Sequence, residues 1–402
     1  MFGDHLFVER VYSFAAAAVT ACLIALIWRR SNGTTPYVVS SFGAQEENDP
    51  HERECDWLPM ALWIAVPVVS WAVVGNLLET TVAVFTTAAV AAIVESHMAG
   101  SVATSIVWCV MSGISIAAAV LTKGPIGLFP LAAPLCLLSG RRRVSGATAQ
   151  WSTVIAVALV LLSIPTARSS LSQYVHQQVL AAIGGTREVS ASSLTIVRAL
   201  LQGVAAPILL TCGLLAALAG RWVAPTNDHC HRAASFLLLG LAGTLPILAS
   251  AKQTGHYLVP AVPFLALSAA CLLAPTTTHL VERIVANGRT FIVQIISATV
   301  LIGTVAVAYS PLAGRDRDRL ADLDRLDRVV PRGTIVGICA ESNSDWGLHA
   351  WFERRFHVSL DASDGGAREW FLKTTAATCP LPECRPASDP TGDLVLLRCP
   401  RP

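Results

Sequence analysis

Lysine is scarce in this chain: Lys123, Lys252 and Lys373 are three among 29 basic residues in a total of 402. Two of them sit in short polar links between long apolar stretches. Lys123 lies in Leu121-Thr122-Lys123-Gly124-Pro125-Ile126-Gly127, where glycine and proline let the chain reverse and leave an ammonium at a hydrophobic edge. Such a group, with backbone N–H groups beside it, suits a phosphate carried on a lipid. The competing reading is an interfacial anchor whose charge snorkels to water. Lys252 lies in Ala251-Lys252-Gln253-Thr254-Gly255-His256-Tyr257-Leu258-Val259-Pro260, which brings Lys252, His256 and Tyr257 to one edge. Lysine and tyrosine can hold phosphate oxygens, and histidine can bind metal or carry a proton. In Asn76-Leu77-Leu78-Glu79-Thr80 a carboxylate opens an apolar segment. Glu79 either complements a helix dipole or serves as a metal ligand or an acceptor for a sugar hydroxyl. The link from Arg168 to Ser193 carries Tyr174, His176, Gln177, Gln178, Arg187 and Glu188 around Gly184-Gly185. Its mixed pattern fits a short helix lying in the interface over a groove, or a plain connector.

The elements that must position these groups are membrane spans. Hydrophobic residues make up 53% and charged residues 14% of the chain, against roughly 25% charged in soluble proteins. A single water-soluble core cannot hide that excess. Soluble enzymes, nucleic-acid readers and disordered proteins are thereby excluded. Apolar stretches of membrane-crossing length recur over 11–28, 57–74, 77–94, 104–121, 125–139, 151–167, 194–218, 233–250, 257–275 and 290–309. Those at 77–94 and 125–139 are short or weakly bounded.

The net charge of +2 implies no partner by itself, but the placement of charge sets the topology. One set of loops holds Arg29, Arg30, Arg53, Arg141, Arg142, Arg143, Arg221, Arg232, Arg283 and Arg289. The opposite short loops hold Arg10, Lys123, Arg168, Arg187 and Lys252, so the count is ten against five. The positive-inside tendency makes the first set cytoplasmic. Residues 1–10 and everything after about 310 are then external, as are both lysine-bearing links.

Composition turns ordinary after about residue 310. The expectation is two domains: a transmembrane domain over 1–310 and a small external α/β domain over 311–402. In the latter a charged helix is expected over Arg315–Arg328, a strand over Thr334–Ala340, a helix over Asp345–Phe356 and a strand over Asp393–Arg398. His349 and His357 read as surface or packing residues. Cys339, Cys379, Cys384 and Cys399 all fall in this external tail, where two disulfides are expected. Four cysteines allow three pairings, and a zinc site is the competing reading, although the spacing matches no common module.

Taken in order, these segments resemble the polyprenyl-phosphate-dependent glycosyltransferases of the GT-C fold. Within it they look like the branch containing aminoarabinose transferases and dolichyl-phosphate-mannose protein mannosyltransferase-like proteins. The strings that carry the resemblance are FGDHLFVERVYS at 2–13, NLLET at 76–80 with Phe85-Thr86, LTKGPIGLFPLAAP at 121–134, YVHQQVLAAIGGTRE at 174–188 and GHYLVPAVPFLAL at 255–267. The resemblance covers about residues 1–310 and implies an all-α polytopic membrane fold of about ten helices. It implies an inverting transfer of a sugar from a polyprenyl phosphate to a lipid, glycan or protein acceptor outside the cytoplasm. It further implies that Lys123 and Lys252 serve the lipid phosphate, that His256, Tyr257 and Arg187 assist in substrate binding, and that Glu79 is a second acidic group of the pocket. Positive charge would stabilise the departing phosphate and a carboxylate would activate the incoming hydroxyl. The expected partners are the polyprenyl-linked sugar, the bilayer and the acceptor, with no nucleic acid. No metal site is nominated, although His256 with Glu79 could hold a divalent ion if the fold brings them together.

One departure stands out. In the family, the FGDHLFVERVYS-like string follows a first span and an external loop bearing the acidic base, whereas here Met1 immediately precedes it. The expectation is a chain without its general base, with Asp4 in an ordinary motif position and activity as written in doubt. A non-catalytic scaffold or transporter-like paralogue is the alternative. Transporters place polar groups near mid-membrane, whereas here they gather at the outer edge, which favours the transferase. External chemistry with no retention signal fits a bacterial plasma membrane.

Overall fold

The computed structural model describes residues 6–32, 55–180, 194–220, 222–250, 253–286, 317–326, 329–330, 332–362, 368–375, 384–388 and 392–400. The chain divides into two compact units, residues 9–298 and residues 299–402 with the first eight.

Every described element of the larger unit is a helix. Seven helical runs among the described residues are long and apolar enough to cross a bilayer. Helix α1 (Leu6–Asn32) is followed by two short helices, α2 (Leu58–Ile64) and α3 (Pro67–Val74), where the sequence suggested one span over 57–74. Pro67 explains the break. The residue before a proline is pushed out of helical geometry, Val66 is extended (φ −77°, ψ 114°), and Pro67 then opens α3.

Helices α4 (Leu78–Met98) and α5 (Val102–Lys123) form an antiparallel pair, joined through Ser101, whose side chain accepts the Thr104 N–H. The pair is glued by small and hydroxylated residues: the Ser96 and Ser105 hydroxyls meet at 2.7 Å, and Ser112 donates to the Ala89 carbonyl at 2.8 Å. Such side chains let helices approach closely in lipid. At Gly113 a Cβ would lie 2.7 Å from Thr153 Cβ, so only glycine admits α7 (Gly140–Ser163) at this distance. Buried Gln150 of α7 donates to Ser112 Oγ at 2.7 Å and to the Pro130 carbonyl at 3.3 Å.

After Lys123 the chain turns back. A Cβ on Gly127 would lie 2.7 Å from the Ala119 carbonyl carbon, which residues eight apart in a straight helix could not approach. The returning span, weakly bounded in sequence over 125–139, is a 3₁₀ segment (Gly124–Ala132) followed by a single α-helical turn and a half, α6 (Ala133–Leu137). A 3₁₀ helix rises about 2.0 Å per residue, so this short stretch reaches farther than an α-helix of equal length. Helix α8 (Pro165–Tyr174) runs into a π-helical turn over Val175–Leu180.

Helix α9 (Thr195–Arg198) continues through a π-helical stretch (Ala199–Ala205) into α10 (Ala206–Ala219). Pro207 lacks the N–H that the regular ladder needs there. Helix α11 (Asn227–Thr244) is capped by Thr226 and runs into a 3₁₀ segment over Leu245–Ala249. Helix α12 (Val262–Ala286), which encloses Pro275, follows a 3₁₀ turn over Gly255–Leu258. Much of the core lies along α12, where Val262, Phe264, Ala266, Leu267 and Ala270 are fully buried.

One end of this bundle gathers arginines. Arg29 pairs with Asp56 at 2.6 Å and Arg30 with Glu95 at 2.7 Å. Arg142 donates to the carbonyls of His97, in the last turn of α4, and of Ala99 just after it, and Arg283 to that of Ala219 at the end of α10. Arg232 holds the Ser31 carbonyl and Asn32. Arg10 and Lys123 fall at the other end, so the helices alternate in direction as the arginine pattern requires. The span read over 290–309, Asp4, and the loops 33–54 and 181–193 lie outside the described residues.

In the smaller unit, α13 (Arg317–Leu326), β1 (Ile335–Ile338), α14 (Trp346–Phe356), β2 (Ser359–Asp361), β3 (Trp370–Thr374), β4 (Arg385–Pro386) and β5 (Leu394–Arg398) build a five-stranded sheet of order β2-β1-β3-β5-β4. β1 is parallel to β2 and β3, with α14 as the β1–β2 crossover; β5 is antiparallel to β3 and β4. Phe352, Phe356, Leu348, Leu323 and Leu326 pack with Val336, Ile338 and Leu396 as its core. α13, β1, α14 and β5 coincide with the elements read from the sequence. β2, β3 and β4 were not legible, being short or interrupted by polar residues. Asp345 caps α14 by accepting the Leu348 N–H at 3.1 Å, and His357 ends it in a left-handed conformation (φ 53°). A disulfide joins Cys384 beside β4 to Cys399 after β5, and Cys339 is disulfide-bonded as well. Oxidation removes the thiolates a zinc site would need. Cys379 lies outside the described residues.

Candidate functional site

At the bundle end opposite the arginines, four separate sequence segments meet. Glu79 is in the first turn of α4, following Asn76 in the left-handed region (φ 48°), and is 1% exposed. Asparagine tolerates that conformation better than other side chains, so the Gly75-Asn76 turn can aim the carboxylate inward. Lys123 ends α5 and forms an ion pair with Glu79 Oε1, its side chain 25% exposed. His256, on the 3₁₀ turn before α12, brings Nε2 within 3.2 Å of the same Oε1 and within 3.2 Å of Thr254 Oγ1. Tyr257 lies beneath the Lys123 ammonium, 5.1 Å from ring centroid to Nζ, and edge-on to His256 at 4.8 Å. Trp71 of α3 flanks His256 at 5.6 Å.

A further contact, from a fifth segment, fixes the lysine's backbone. The Tyr174 hydroxyl, at the end of α8, donates to the Lys123 carbonyl at 3.3 Å. Gly124 follows with φ 78° and ψ −147°, a region open essentially to glycine alone. A side chain there would overlap the Tyr174 hydroxyl. The turn therefore needs Gly124 both for its dihedrals and for its lack of a Cβ.

The fold thus brings together Glu79, Lys123, His256 and Tyr257. Lys252 and Arg187 lie outside the described residues. Gln253, next to Lys252, is buried; its amide donates to Leu248 and Ser250 carbonyls, and its oxygen accepts the Ile196 N–H at 3.1 Å. Sequence reasoning placed Tyr174 only in a connecting loop and did not pick out Trp71 or Thr254. The signal for Tyr174 was its place at the head of the YVHQQ string; a lone tryptophan and threonine gave none.

Glu79 and His256 do come together, as a metal pair would require, but the described residues add no third such donor to them. Among the described residues no group of three or more His, Cys, Asp or Glu converges, and the shared carboxylate oxygen already faces an ammonium. What the arrangement offers is an ammonium, an imidazole and aromatic faces at the rim of an apolar bundle: a place for an anionic group with a hydrophobic tail.

The fold, a polytopic helical bundle with a small mixed-sheet unit, is the GT-C fold of membrane glycosyltransferases. Residues 75–181, which hold Glu79, Lys123 and Tyr174, match the family model of dolichyl-phosphate-mannose-protein mannosyltransferase. The crystal structure of ArnT from Cupriavidus metallidurans bound to undecaprenyl phosphate is similar with a TM-score of 0.61 at 14% identity, over 98% of this chain and 84% of that one. The same protein in its apo state gives 0.53 at 13% identity, over 96% and 83%. No curated protein sequence matches the chain. At such low identity the likeness to ArnT establishes the fold.

Proposed function

We propose that this protein transfers a sugar from a polyprenyl-phosphate donor to an acceptor on the extracytoplasmic side of a bacterial plasma membrane, with inversion at the anomeric carbon. The observation that carries the reading is the meeting of Lys123, Glu79, His256 and Tyr257 at one rim of the bundle. The GT-C fold supports it, as does the undecaprenyl phosphate named for the ArnT crystal structure.

In this reading the lipid phosphate docks on the Lys123 ammonium, with Lys252 and Arg187 as further cations. Positive charge there stabilises the phosphate as it leaves the anomeric carbon. Tyr257 and His256 wall the same position, and Glu79 holds Lys123 and His256 in register. The arginine-rich end then faces the cytoplasm, and the sheet unit lies outside. The acceptor is a lipid, glycan or protein hydroxyl or amine.

The test is binding of undecaprenyl phosphate to the full chain in nanodiscs of zwitterionic lipid. Lys123→Ala and Lys252→Ala each remove a charge-assisted contact, with an expected loss of affinity of about ten- to a hundredfold. Unchanged affinity in both variants would falsify the assignment.

A further inference from the structure

Lys123 does not reach the rim as a free cation. Its ammonium is matched by a carboxylate that is 1% exposed, so the negative charge of Glu79 cannot turn away into water. His256 contributes a positive charge at the same oxygen only when protonated. An anion approaching Lys123 therefore meets a fixed negative charge just behind it. We propose that Glu79 sets the site's preference between charge forms of the lipid phosphate, disfavouring the doubly charged product and thereby driving its release. This rests on the polyprenyl-phosphate reading above.

The chemistry makes the distinction matter. A polyprenyl-phosphate sugar is a phosphodiester with one negative charge. On transfer, the bond from the anomeric carbon to the phosphate oxygen breaks and its electron pair stays on that oxygen. A new bond forms from the acceptor oxygen or nitrogen to the anomeric carbon, and the acceptor's proton passes to solvent. The lipid is left as a phosphomonoester, whose second ionisation falls near pH 6, so at working pH it carries close to two charges. Repulsion from Glu79 thus roughly doubles between donor and product. It acts only in part on the transition state, where charge on the leaving oxygen is incompletely developed. A lysine alone would bind the product more tightly than the donor and be inhibited by it.

Charges about 6 Å apart at an effective dielectric constant of about 40 alter binding by a factor of about ten per unit of ligand charge. The measurement is the affinity of undecaprenyl phosphate and of its methyl phosphodiester, at pH 8, for the full chain in zwitterionic nanodiscs. Glu79→Gln keeps the shape and removes the charge. The expected result is a shift of about tenfold in the monoester-to-diester affinity ratio, towards the monoester. A carboxylate that merely positions Lys123 would on removal weaken both ligands, the doubly charged one more, and move the ratio towards the diester; a ratio unchanged within about twofold, or shifted towards the diester, overturns the inference. Glu79→Ala removes the same charge and gives the same ratio change where the Gln variant does not fold. Failure of the wild type to bind either lipid overturns the donor reading itself, whereas binding with an unmoved ratio sinks only the role of Glu79.

Discussion

The sharpest structural perturbation of the site is one methyl group on Gly124. Its backbone (φ 78°, ψ −147°) lies where only glycine is comfortable, and an alanine there costs about 1–3 kcal/mol in strain. Its Cβ would also overlap the Tyr174 hydroxyl and stand 2.9 Å from Cζ of the same ring. The ring must move, and the hydrogen bond to the Lys123 carbonyl is lost, adding about 1 kcal/mol. The total of about 2–4 kcal/mol falls on the residue adjoining Lys123, so the cheapest relief is a shift of the lysine itself. Gly124→Ala should therefore weaken undecaprenyl phosphate binding by about thirtyfold or more, while the bundle still unfolds cooperatively. Gly140→Ala is the matched control: it also sits at positive φ (55°) but has nothing within 4 Å, and lies at the opposite end of the bundle. It should cost about 1–2 kcal/mol of strain and leave binding unchanged. Titration of both variants in nanodiscs, with thermal unfolding alongside, separates the cases. Binding by Gly124→Ala within about twofold of wild type would refute the claim that the turn fixes the lysine.

Two further outcomes follow from neighbouring contacts. Tyr174→Phe removes the hydroxyl that donates to the Lys123 carbonyl at 3.3 Å; affinity for undecaprenyl phosphate should fall about two- to fivefold, the worth of an exposed hydrogen bond. In that background Gly124→Ala should cost less than it does alone, because the overlapping atom is gone, and a double-mutant cycle with additive effects would contradict this. In the smaller unit, Cys384→Ser with Cys399→Ser opens a link of sequence separation 15, worth about 3 kcal/mol. Limited proteolysis should then cut near β4 at lower denaturant concentration, with unfolding of the helical unit unmoved.

Much of this was legible in the sequence because membrane physics leaves few choices. Apolar length marked the spans, and the arginines marked one end: Arg29, Arg30, Arg142, Arg232 and Arg283 do gather there, on helix-end carbonyls and acidic partners. Glu79, Lys123, His256 and Tyr257 were picked out separately, each ambiguous alone, and the alternating direction of the spans is what makes their meeting natural. Backbone form was less legible. The runs at 57–74 and 125–139 read as plain spans, since hydropathy does not distinguish an α-helix from a helix broken at Pro67 or drawn out as 3₁₀. Trp71, Thr254 and Tyr174 were missed as site residues for another reason: their roles depend on which side chain lies across the gap, and no spacing along the chain encodes that.

Irregular backbone is not spread evenly through the bundle. The arginine end also has two positive-φ residues, Gly140 and Gly220, but its terminations are ordinary: Ser101 and Thr226 as side-chain caps, and Gly220 as a left-handed stop. The other end holds Asn76 and Gly124 at positive φ, the 3₁₀ segments at 124–132, 245–249 and 255–258, and the π-helical turn at 175–180. Backbone of this kind leaves donors and acceptors that hydrocarbon cannot satisfy, so within a membrane it is tolerated only inside protein or beside water. Its concentration around Lys123 therefore marks that rim as a place where protein or water, and not lipid, surrounds the backbone. A lysine that merely anchored a helix would need no such surroundings, since its charge could snorkel past regular backbone, and it would gain nothing from a buried carboxylate. Glycine and proline in LTKGPIG let the chain leave α-helical form after Lys123, and the partners on α4, α8 and the 255–258 turn hold the lysine in place.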